Sequence, residues 1–297
     1  MTEQQGESPA DYMVQLNING LNGRMLHMPA PKRYNRELLV VYGHHARIER
    51  WWGLLQNLNE TGAVTMPDLP GFGSMDSFRS IGKEPTIDNF ADYLAAFVKL
   101  RYKRRRLTIV GISFGFVVAT RMLQKYPELA KKVDLVVSIV GFMHRDDFLF
   151  TPRQRFVYSK AAQFFALSPI AWIIRYGFLN RFVIRQLYLR LPAGRKRFVE
   201  LEPTTFESMI EYDVLLWQTN DVHTHWFTTK EFLALDNCRK PIALPVIHIA
   251  SKHDHYFDNQ VVEQHMKVVF NHYEQYAMDS KSHTPHILGN KKEMAIM

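Results

Sequence analysis

The string Gly111-Ile112-Ser113-Phe114-Gly115 places a hydroxyl group where nucleophilic chemistry is possible. The apolar run Leu107 to Val110 precedes this string and a helix-like apolar pattern follows it, so we expect a sharp turn from strand to helix at Ser113. Such a corner holds its central residue in strained backbone angles, and glycines two positions before and after it let the strand and the helix approach closely. The sequence therefore predicts that the Ser113 side chain projects into the open.

An acid and a base follow Ser113 along the chain. Asp254 lies just beyond the predicted strand Val246 to Ala250, and His283 lies just past the last predicted strand. A Ser hydroxyl is a poor nucleophile until a base removes its proton, and a His whose second nitrogen is held by a carboxylate can be that base. We expect Ser113, Asp254 and His283 to act as nucleophile, acid and base. The alternatives are Asp146, Asp147 and Asp258 for the acid, and His286 for the base.

A second strand end predicts a site for an oxyanion. Gly43-His44-His45 follows the predicted strand Leu38 to Tyr42, and the glycine lets the next backbone amide face into a cleft. The backbone N–H of His44, together with that of Phe114, can bind an oxyanion that develops on a substrate. Only main-chain groups enter this assignment, so the imidazoles of His44 and His45 have no assigned role.

The 13 histidines raise the question of a metal site. Imidazoles occur at alternate positions in His253-Asp254-His255 and His223-Thr224-His225, and His44-His45 forms a further pair. None of these continues into a zinc-hydrolase pattern such as His-Glu-x-x-His. We therefore expect no metal.

Short apolar runs alternate with helical patterns along most of the chain, which is typical of an α/β fold with a mostly parallel central sheet and helices on both faces. Asn259 to Phe270 has one apolar face and is predicted to be a helix. A Gly-Asn-rich link at 19–23 predicts a hairpin between the first two strands. The predicted strands are Tyr12 to Ile18, Arg24 to Met28, Leu38 to Tyr42, Ala63 to Met66, Leu107 to Val110, Leu135 to Val140, Val246 to Ala250 and Tyr273 to Met278.

Strand signals disappear between about residues 144 and 240, where helical patterns rich in aromatic and arginine residues take over. Ser168-Pro169 predicts a helix start, and Leu191-Pro192-Ala193-Gly194 predicts the end of the next helix. We expect a helical cap, or lid, at residues 144–240, inserted into a core formed by residues 1–143 and 241–297. A cap over the carboxyl ends of the strands would shape a substrate pocket.

The net charge of +8 raises the possibility of an anionic partner. The densest basic run, Arg101 to Arg106, lies in a predicted connection, and no recognisable nucleic-acid module accompanies it, so we expect no nucleic-acid binding. The arginines of the cap are interpreted as the solvated side of packed helices, in preference to a membrane contact. The expected partner is a small-molecule substrate, and the sequence leaves the oligomeric state open.

The single cysteine, Cys238, cannot form an internal disulfide, which suits a reducing compartment. The polar segment Met1 to Asp11 has no basic start or apolar core of the kind that a secretory signal needs, and no apolar run approaches a membrane span. We therefore expect a cytoplasmic location.

These residues together resemble the α/β-hydrolase superfamily, in its serine-nucleophile branch with a helical cap. The resemblance depends on Gly43-His44, the string Pro67-Asp68-Leu69-Pro70-Gly71-Phe72-Gly73, Gly111 to Gly115, Asp254 and His283-Thr284-Pro285. It implies an esterase-like hydrolase with a Ser-Asp-His triad and no cofactor. Two positions depart from the family pattern, because Tyr42 and Ile112 stand where the family often has His.

Hydrolysis of an ester or related acyl bond through an acyl-enzyme on Ser113 is the favoured function. The cap aromatics Phe164, Phe165, Trp172, Trp217 and Trp226 suggest an apolar or aromatic acyl group. Two alternatives stay open at this point: a catalytically silent binding protein with the same fold, and a C–C bond hydrolase or perhydrolase that uses the same three side chains.

Overall fold

The computed structural model describes residues 8–32, 35–103, 106–190 and 203–279. Its centre is one eight-stranded sheet with the strand order β1-β2-β4-β3-β5-β6-β7-β8. The strands are β1 Met13–Ile18, β2 Leu21–Met28, β3 Glu37–Val41, β4 Ala63–Pro67, β5 Leu107–Ile112, β6 Val133–Ile139, β7 Ile242–Ser251 and β8 Phe270–Met278. All eight predicted strands are present, and the observed ends differ from the predicted ends by a few residues.

The sheet is mostly parallel. β1 and β2 form an antiparallel hairpin, β2 pairs antiparallel with β4, and every later pair of neighbouring strands is parallel. The hairpin turn is shorter than predicted, because Asn19 and Gly20 both adopt a positive φ and reverse the chain within two residues. All residues of β3 and β4 are buried, so both faces of the sheet centre are covered. The expected α/β fold class is confirmed.

Helices connect the parallel strands and form the inserted region. Thr86 caps α2 by accepting a hydrogen bond from the Asn89 N–H at 3.1 Å, and Asp258 caps α10 in the same manner. The helices are α1 Trp52–Asn59, α2 Ile87–Arg101, α3 Phe114–Lys125, α4 Pro127–Ala130, α5 Pro152–Phe165, α6 Ser168–Ile173, α7 Arg181–Arg190, α8 Pro203–Thr219, α9 Val222–Leu233 and α10 Asn259–Val269.

The region between β6 and β7 carries α5 to α9 and, in its described part, no strand. α6 begins at Ser168 as predicted, but Leu167 occupies the cap position and no side chain caps the helix. A π-helical segment, Ile174–Phe178, continues α6. The predicted helix end at Leu191 to Gly194 lies outside the described residues, and the boundaries 144–240 for the cap stay a prediction. No helix in the described part of the chain is long and apolar enough to span a membrane.

Candidate active site

Ser113 stands at the corner between β5 and α3, with φ 50° and ψ −117°. A positive φ is costly for a residue with a side chain and persists only where the surroundings enforce it. Two main-chain hydrogen bonds hold the corner: the Ser113 N–H donates to the Ile139 carbonyl at 2.9 Å, and the Phe116 N–H donates to the Ser113 carbonyl at 3.0 Å. The predicted sharp turn from strand to helix is therefore present in the fold.

Gly115 is required by the close approach of α3 to the end of β3. A Cβ atom at this position would lie 2.5 Å from the carbonyl oxygen of Tyr42 and closer still to that of Val41. Any side chain there would push the helix away from the strand. Gly115 therefore fixes the distance between the Ser113 corner and the loop that follows β3.

That loop passes directly beside Ser113. A Cβ atom on Gly43 would lie 3.4 Å from the Ser113 Cβ and 3.3 Å from the Ile112 carbonyl oxygen. The main chain entering His44 is therefore in contact with the corner, as an oxyanion site requires. The assignment of the His44 and Phe114 amides to an oxyanion stays a prediction.

The His44 side chain connects this loop to the inserted helices. Its Nε2 lies 2.8 Å from Thr228 Oγ1 and 3.1 Å from the His225 carbonyl oxygen, both on α9. Burial lowers the pKa of His44 to about 4, so the ring is neutral at pH 7. The ring therefore acts as a neutral hydrogen-bonding link between core and cap, a role that the sequence did not indicate.

His45 and His225 lie next to this link, with ring centroids 4.5 Å apart. Burial lowers the pKa of both imidazoles well below the usual value, and neighbouring cationic and imidazole groups add to the effect. His45 Nδ1 lies 3.2 Å from Asn220 Nδ2 and accepts its hydrogen bond. His45 Nε2 and His225 Nδ1 are buried and have no hydrogen-bond partner in the described part of the protein. These two buried polar atoms are therefore unsatisfied within the described ranges.

Asp254 lies three residues beyond β7, as predicted. Its Oδ1 accepts hydrogen bonds from the Tyr256 N–H at 2.8 Å and the Phe257 N–H at 3.2 Å. These two hydrogen bonds form a turn that holds the Asp254 side chain near the C-terminal end of β7. The position suits the acid of a triad, and the assignment itself stays a prediction.

The alternative acid Asp147 is fully buried and engaged on both oxygens. Oδ2 accepts the Met143 and His144 N–H groups at 2.7 and 2.9 Å, and Oδ1 lies 2.5 Å from His265 Nδ1 on α10. Its backbone carbonyl also accepts the Asp258 N–H. Asp147 therefore connects the segment that follows β6 with α10. These contacts favour a structural role for Asp147.

The two other alternative acids also have structural partners. Asp146 forms an ion pair with Arg155 of α5, which holds the pKa of that carboxyl below its usual range. Asp258 Oδ1 accepts the Gln260 and Val261 N–H groups as the cap of α10. The assignment of Asp254 as the acid stays a prediction. His283 and His286, the two predicted bases, lie outside the described residues.

Tyr42 explains one departure from the expected pattern. Its side chain is fully buried, and its hydroxyl donates to Asp68 Oδ1 at 3.0 Å and accepts the Leu69 N–H at 2.8 Å. The side chain therefore stabilises the loop that follows β4. The other departure, Ile112, is a fully buried core residue.

Asp68 organises that loop, the Pro67 to Gly73 string. Its buried carboxylate accepts hydrogen bonds from Arg24 Nε at 2.8 Å, the Ser74 N–H at 3.0 Å and the Tyr42 hydroxyl. Asn220 Oδ1 in turn accepts the Gly73 N–H at 2.9 Å. The loop therefore joins the sheet to the start of α9. The residue patterns did not indicate that His225, Thr228 and Asn220 contact His44 and His45 of the loop after β3.

His223 and His225 are not arranged to hold one metal ion together. His223 contacts the Ala166 carbonyl oxygen at 2.6 Å and Glu84 at 2.8 Å, whereas His225 faces His45. Residues two apart on a helix point to opposite sides, so one ion cannot bind both imidazoles. Within the described ranges, no group of three His, Cys, Asp or Glu side chains is placed to hold a metal.

Replacement of Asp68 by Ala is expected to destabilise the protein by about 3–5 kcal/mol, because it leaves the partly buried Arg24 without one of its carboxylates. Equilibrium urea unfolding measures this change. Asp134→Ala is the matched control, since Asp134 pairs with Arg106 at 2.9 Å on the surface and its loss should cost at most about 1 kcal/mol. Equal destabilisation by the two variants would contradict the role given to Asp68.

Comparisons with known proteins agree with the fold. Residues 36–290 match the family described as "alpha/beta hydrolase fold". A curated relative, the biotin biosynthesis bifunctional protein BioHC of Teredinibacter turnerae, is 22% identical over 287 residues. The alignment covers 92% of this chain and 46% of the relative, so the chain spans less than half the length of that protein.

Two solved structures extend the comparison to the fold. The N-formylmaleamic acid deformylase of Pseudomonas putida S16 superposes with a TM-score of 0.66 at 14% identity, covering 96% of this chain and 98% of its own. A thermophilic esterase from Thermogutta terrifontis superposes with a TM-score of 0.60 at 14% identity, covering 89% of each chain. At 14% identity, these two superpositions show a similarity of fold only.

Proposed function

Because this chain belongs to the α/β hydrolase fold family, we propose that it is a serine hydrolase that cleaves an ester or related acyl bond through an acyl-enzyme on Ser113. The observation that carries the proposal is the strained corner at Ser113, which the loop after β3 contacts directly. A strained, partly exposed Ser between a strand and a helix is the arrangement that presents a nucleophile in this fold.

In the proposed mechanism, His283 takes the Ser113 hydroxyl proton as the oxygen attacks the substrate carbonyl carbon. The carbonyl oxygen becomes negatively charged, and the backbone N–H groups of His44 and Phe114 donate hydrogen bonds to it. Asp254 orients His283 and stabilises its protonated form. His283 then returns the proton to the leaving alcohol, and a water molecule releases the acid from Ser113 by the same steps.

The acyl group is proposed to be small and apolar or aromatic. Trp217 lies on the inner side of the cap, with its ring centroid 4.3 Å from that of His45. Phe165 and Trp226 pack together with centroids 4.8 Å apart. The other two aromatics that the sequence suggested, Phe164 and Trp172, are more than half exposed on the outside and do not support this role.

The names of the compared proteins are consistent with an acyl substrate. One structural neighbour is named as a deformylase and the other as an esterase, and both terms describe cleavage at an acyl carbon. No biotin-related role is transferred from BioHC, because this chain spans less than half of that protein. The proposal therefore specifies the reaction and leaves the physiological substrate open.

The proposed function is tested with a panel of p-nitrophenyl esters that differ in acyl length and include an aromatic acyl group. We expect turnover by the full chain, with a preference among acyl groups that changes in Trp217→Ala. Trp172→Ala is the matched control, since this exposed ring should leave the preference unchanged. Hydrolysis of every ester at only the uncatalysed rate would contradict the proposal.

A further inference from the structure

Large apolar side chains lie exposed on one part of the cap. They occur on α5, α6 and the π-helical segment, with exposed fractions from 44% for Tyr158 to 73% for Tyr176. Large apolar side chains that are exposed close together often mark an interaction site. We call the following six side chains the outer cap face: Phe156, Val157, Phe164, Trp172, Ile173 and Tyr176.

In α6 and the π-helical segment that continues it, apolar side chains face the solvent and a charged side chain faces the protein, the reverse of what is expected for a helix in water. Trp172, Ile173 and Tyr176 are spaced as one helical stripe, and this stripe is exposed. Arg175 instead points inward, where its guanidinium donates to the backbone carbonyls of Gln218 at 2.5 Å and Asn220 at 2.8 Å at the end of α8. In contact with water only, the aromatic side chains would be expected to be buried and the arginine to be exposed.

The outer stripe of α5 combines cations with apolar side chains. Arg153, Val157, Lys160 and Phe164 follow at helical spacing and are all exposed. Lys160 Nζ lies 5.7 Å from the ring centroid of Phe156, so the ammonium group sits beside the aromatic surface. Arg153 and Lys160 have no carboxylate partner among the described residues.

Both stripes face away from the same helix. α5 and α6 each pack against α9, and the side chains buried on their inner sides are the small residues Ala162 and Ala171. The sides opposite to Ala162 and Ala171 therefore both point out of the cap. Because α5 and α6 also contact each other, the two stripes lie on neighbouring helices of the cap.

The sequence around this surface has an extreme charge distribution. Residues 148–199 contain ten Lys and Arg and no Asp or Glu. The net charge of the whole chain is +8, so the remaining residues carry a small negative excess. Three of these ten cations, Arg155, Arg181 and Arg185, pair with carboxylates outside this range, whereas Arg153 and Lys160 have no such ion pair among the described residues.

We propose that the outer cap face binds the surface of an anionic lipid bilayer. Trp and Tyr rings favour the interface between headgroups and acyl chains, and flanking Lys and Arg are attracted to anionic headgroups. A second copy of this chain fits less well, because in a two-fold contact the face meets itself and Arg153 and Lys160 would face cations. An anionic bilayer supplies the opposite charge.

Co-sedimentation of the full chain with lipid vesicles tests the proposal. We expect binding to mixed phosphatidylcholine–phosphatidylglycerol vesicles, weaker binding as salt is raised, and little binding to phosphatidylcholine alone. Lipids brominated near the top of the acyl chain should quench the fluorescence of the wild type more than that of Trp172→Phe, because Trp172 is expected at the interface between headgroups and acyl chains. Absence of binding to the anionic vesicles would overturn the proposal.

The apolar contribution is measured with the double variant Trp172→Ser, Tyr176→Ser. We expect a vesicle partition coefficient lower by about tenfold or more, because two large side chains no longer leave water. The matched control is Leu100→Ser, Val268→Ser, which removes two apolar side chains of similar exposure (56% and 63%) outside the cap. Equal binding by the two double variants would contradict the assignment of the surface.

The charge contribution is measured with Arg153→Glu, Lys160→Glu, for which we expect loss of the preference for anionic vesicles. The control is Lys83→Glu, Lys131→Glu, which makes the same change in net charge at exposed positions elsewhere. Light scattering of the vesicle-free protein completes the test. Self-association that disappears in Trp172→Ser, Tyr176→Ser, without vesicle binding by the wild type, would assign the face to a second copy and overturn the lipid proposal.

Discussion

Replacement of Ser113 by Ala is expected to lower kcat for ester hydrolysis on the order of 10⁵-fold or more, since removal of a nucleophile from a working triad costs about that much in other serine hydrolases. Ala lacks the oxygen that attacks the carbonyl carbon. It keeps the Cβ that the corner at φ 50° already accommodates, so the fold should persist. Steady-state kinetics on the best ester of the panel measure the loss, and circular dichroism checks the fold.

Ser77→Ala is the control for the Ser113 variant. Ser77 precedes a short 3₁₀ helix at Phe78–Ile81, and its hydroxyl makes no cap hydrogen bond there. We expect wild-type kcat in this variant. A Ser113→Ala protein that is folded and retains a rate near the wild type would show that another group attacks the substrate.

Replacement of Asp254 by Asn is expected to lower kcat on the order of 10⁴-fold, as it does when the orienting carboxylate of a Ser-His-Asp triad is changed to the amide. The amide cannot stabilise the protonated imidazole and favours the wrong tautomer. Asn retains a carbonyl oxygen that can accept the Tyr256 and Phe257 N–H groups, so the turn after β7 should be preserved. The same ester assay gives the size of the loss.

Asp258→Asn is the matched control for this prediction. Asp258 lies four residues further along and caps α10, and Asn is an equally good cap, so both stability and kcat should stay close to the wild type. If Asp254→Asn keeps a normal kcat and Asp146→Asn loses most of its kcat, the acid is Asp146, in the connection after β6, and the assignment of Asp254 is wrong.

The sequence predicted the parts of this protein that depend on local patterns. Apolar runs located all eight strands, and Gly111, Ser113 and Gly115 predicted the corner because the need for small residues around a strained residue is a local constraint. The position of Asp254 followed from the end of a buried strand. The helical character of the inserted region also followed from composition and periodicity.

Contacts between distant residues could not be predicted in this way. His44 meets Thr228 across 184 residues of sequence, and Asn220 meets Gly73 across 147. The orientation of a helix also escapes a pattern of residue types. Trp172 and Arg175 are three residues apart in sequence. The residue types alone did not indicate that Arg175 would face the end of α8 and that Trp172 would face the solvent.

Covalent labelling with a serine-directed phosphonate, followed by peptide mass mapping, tests the central claim most directly. Only a serine whose proton is removed by a neighbouring base reacts rapidly with such a probe. We expect one adduct, on the peptide that contains Ser113, and no adduct in Ser113→Ala. An adduct on a different residue, or a folded wild-type protein that takes up no label, would contradict the claim that Ser113 is an activated nucleophile.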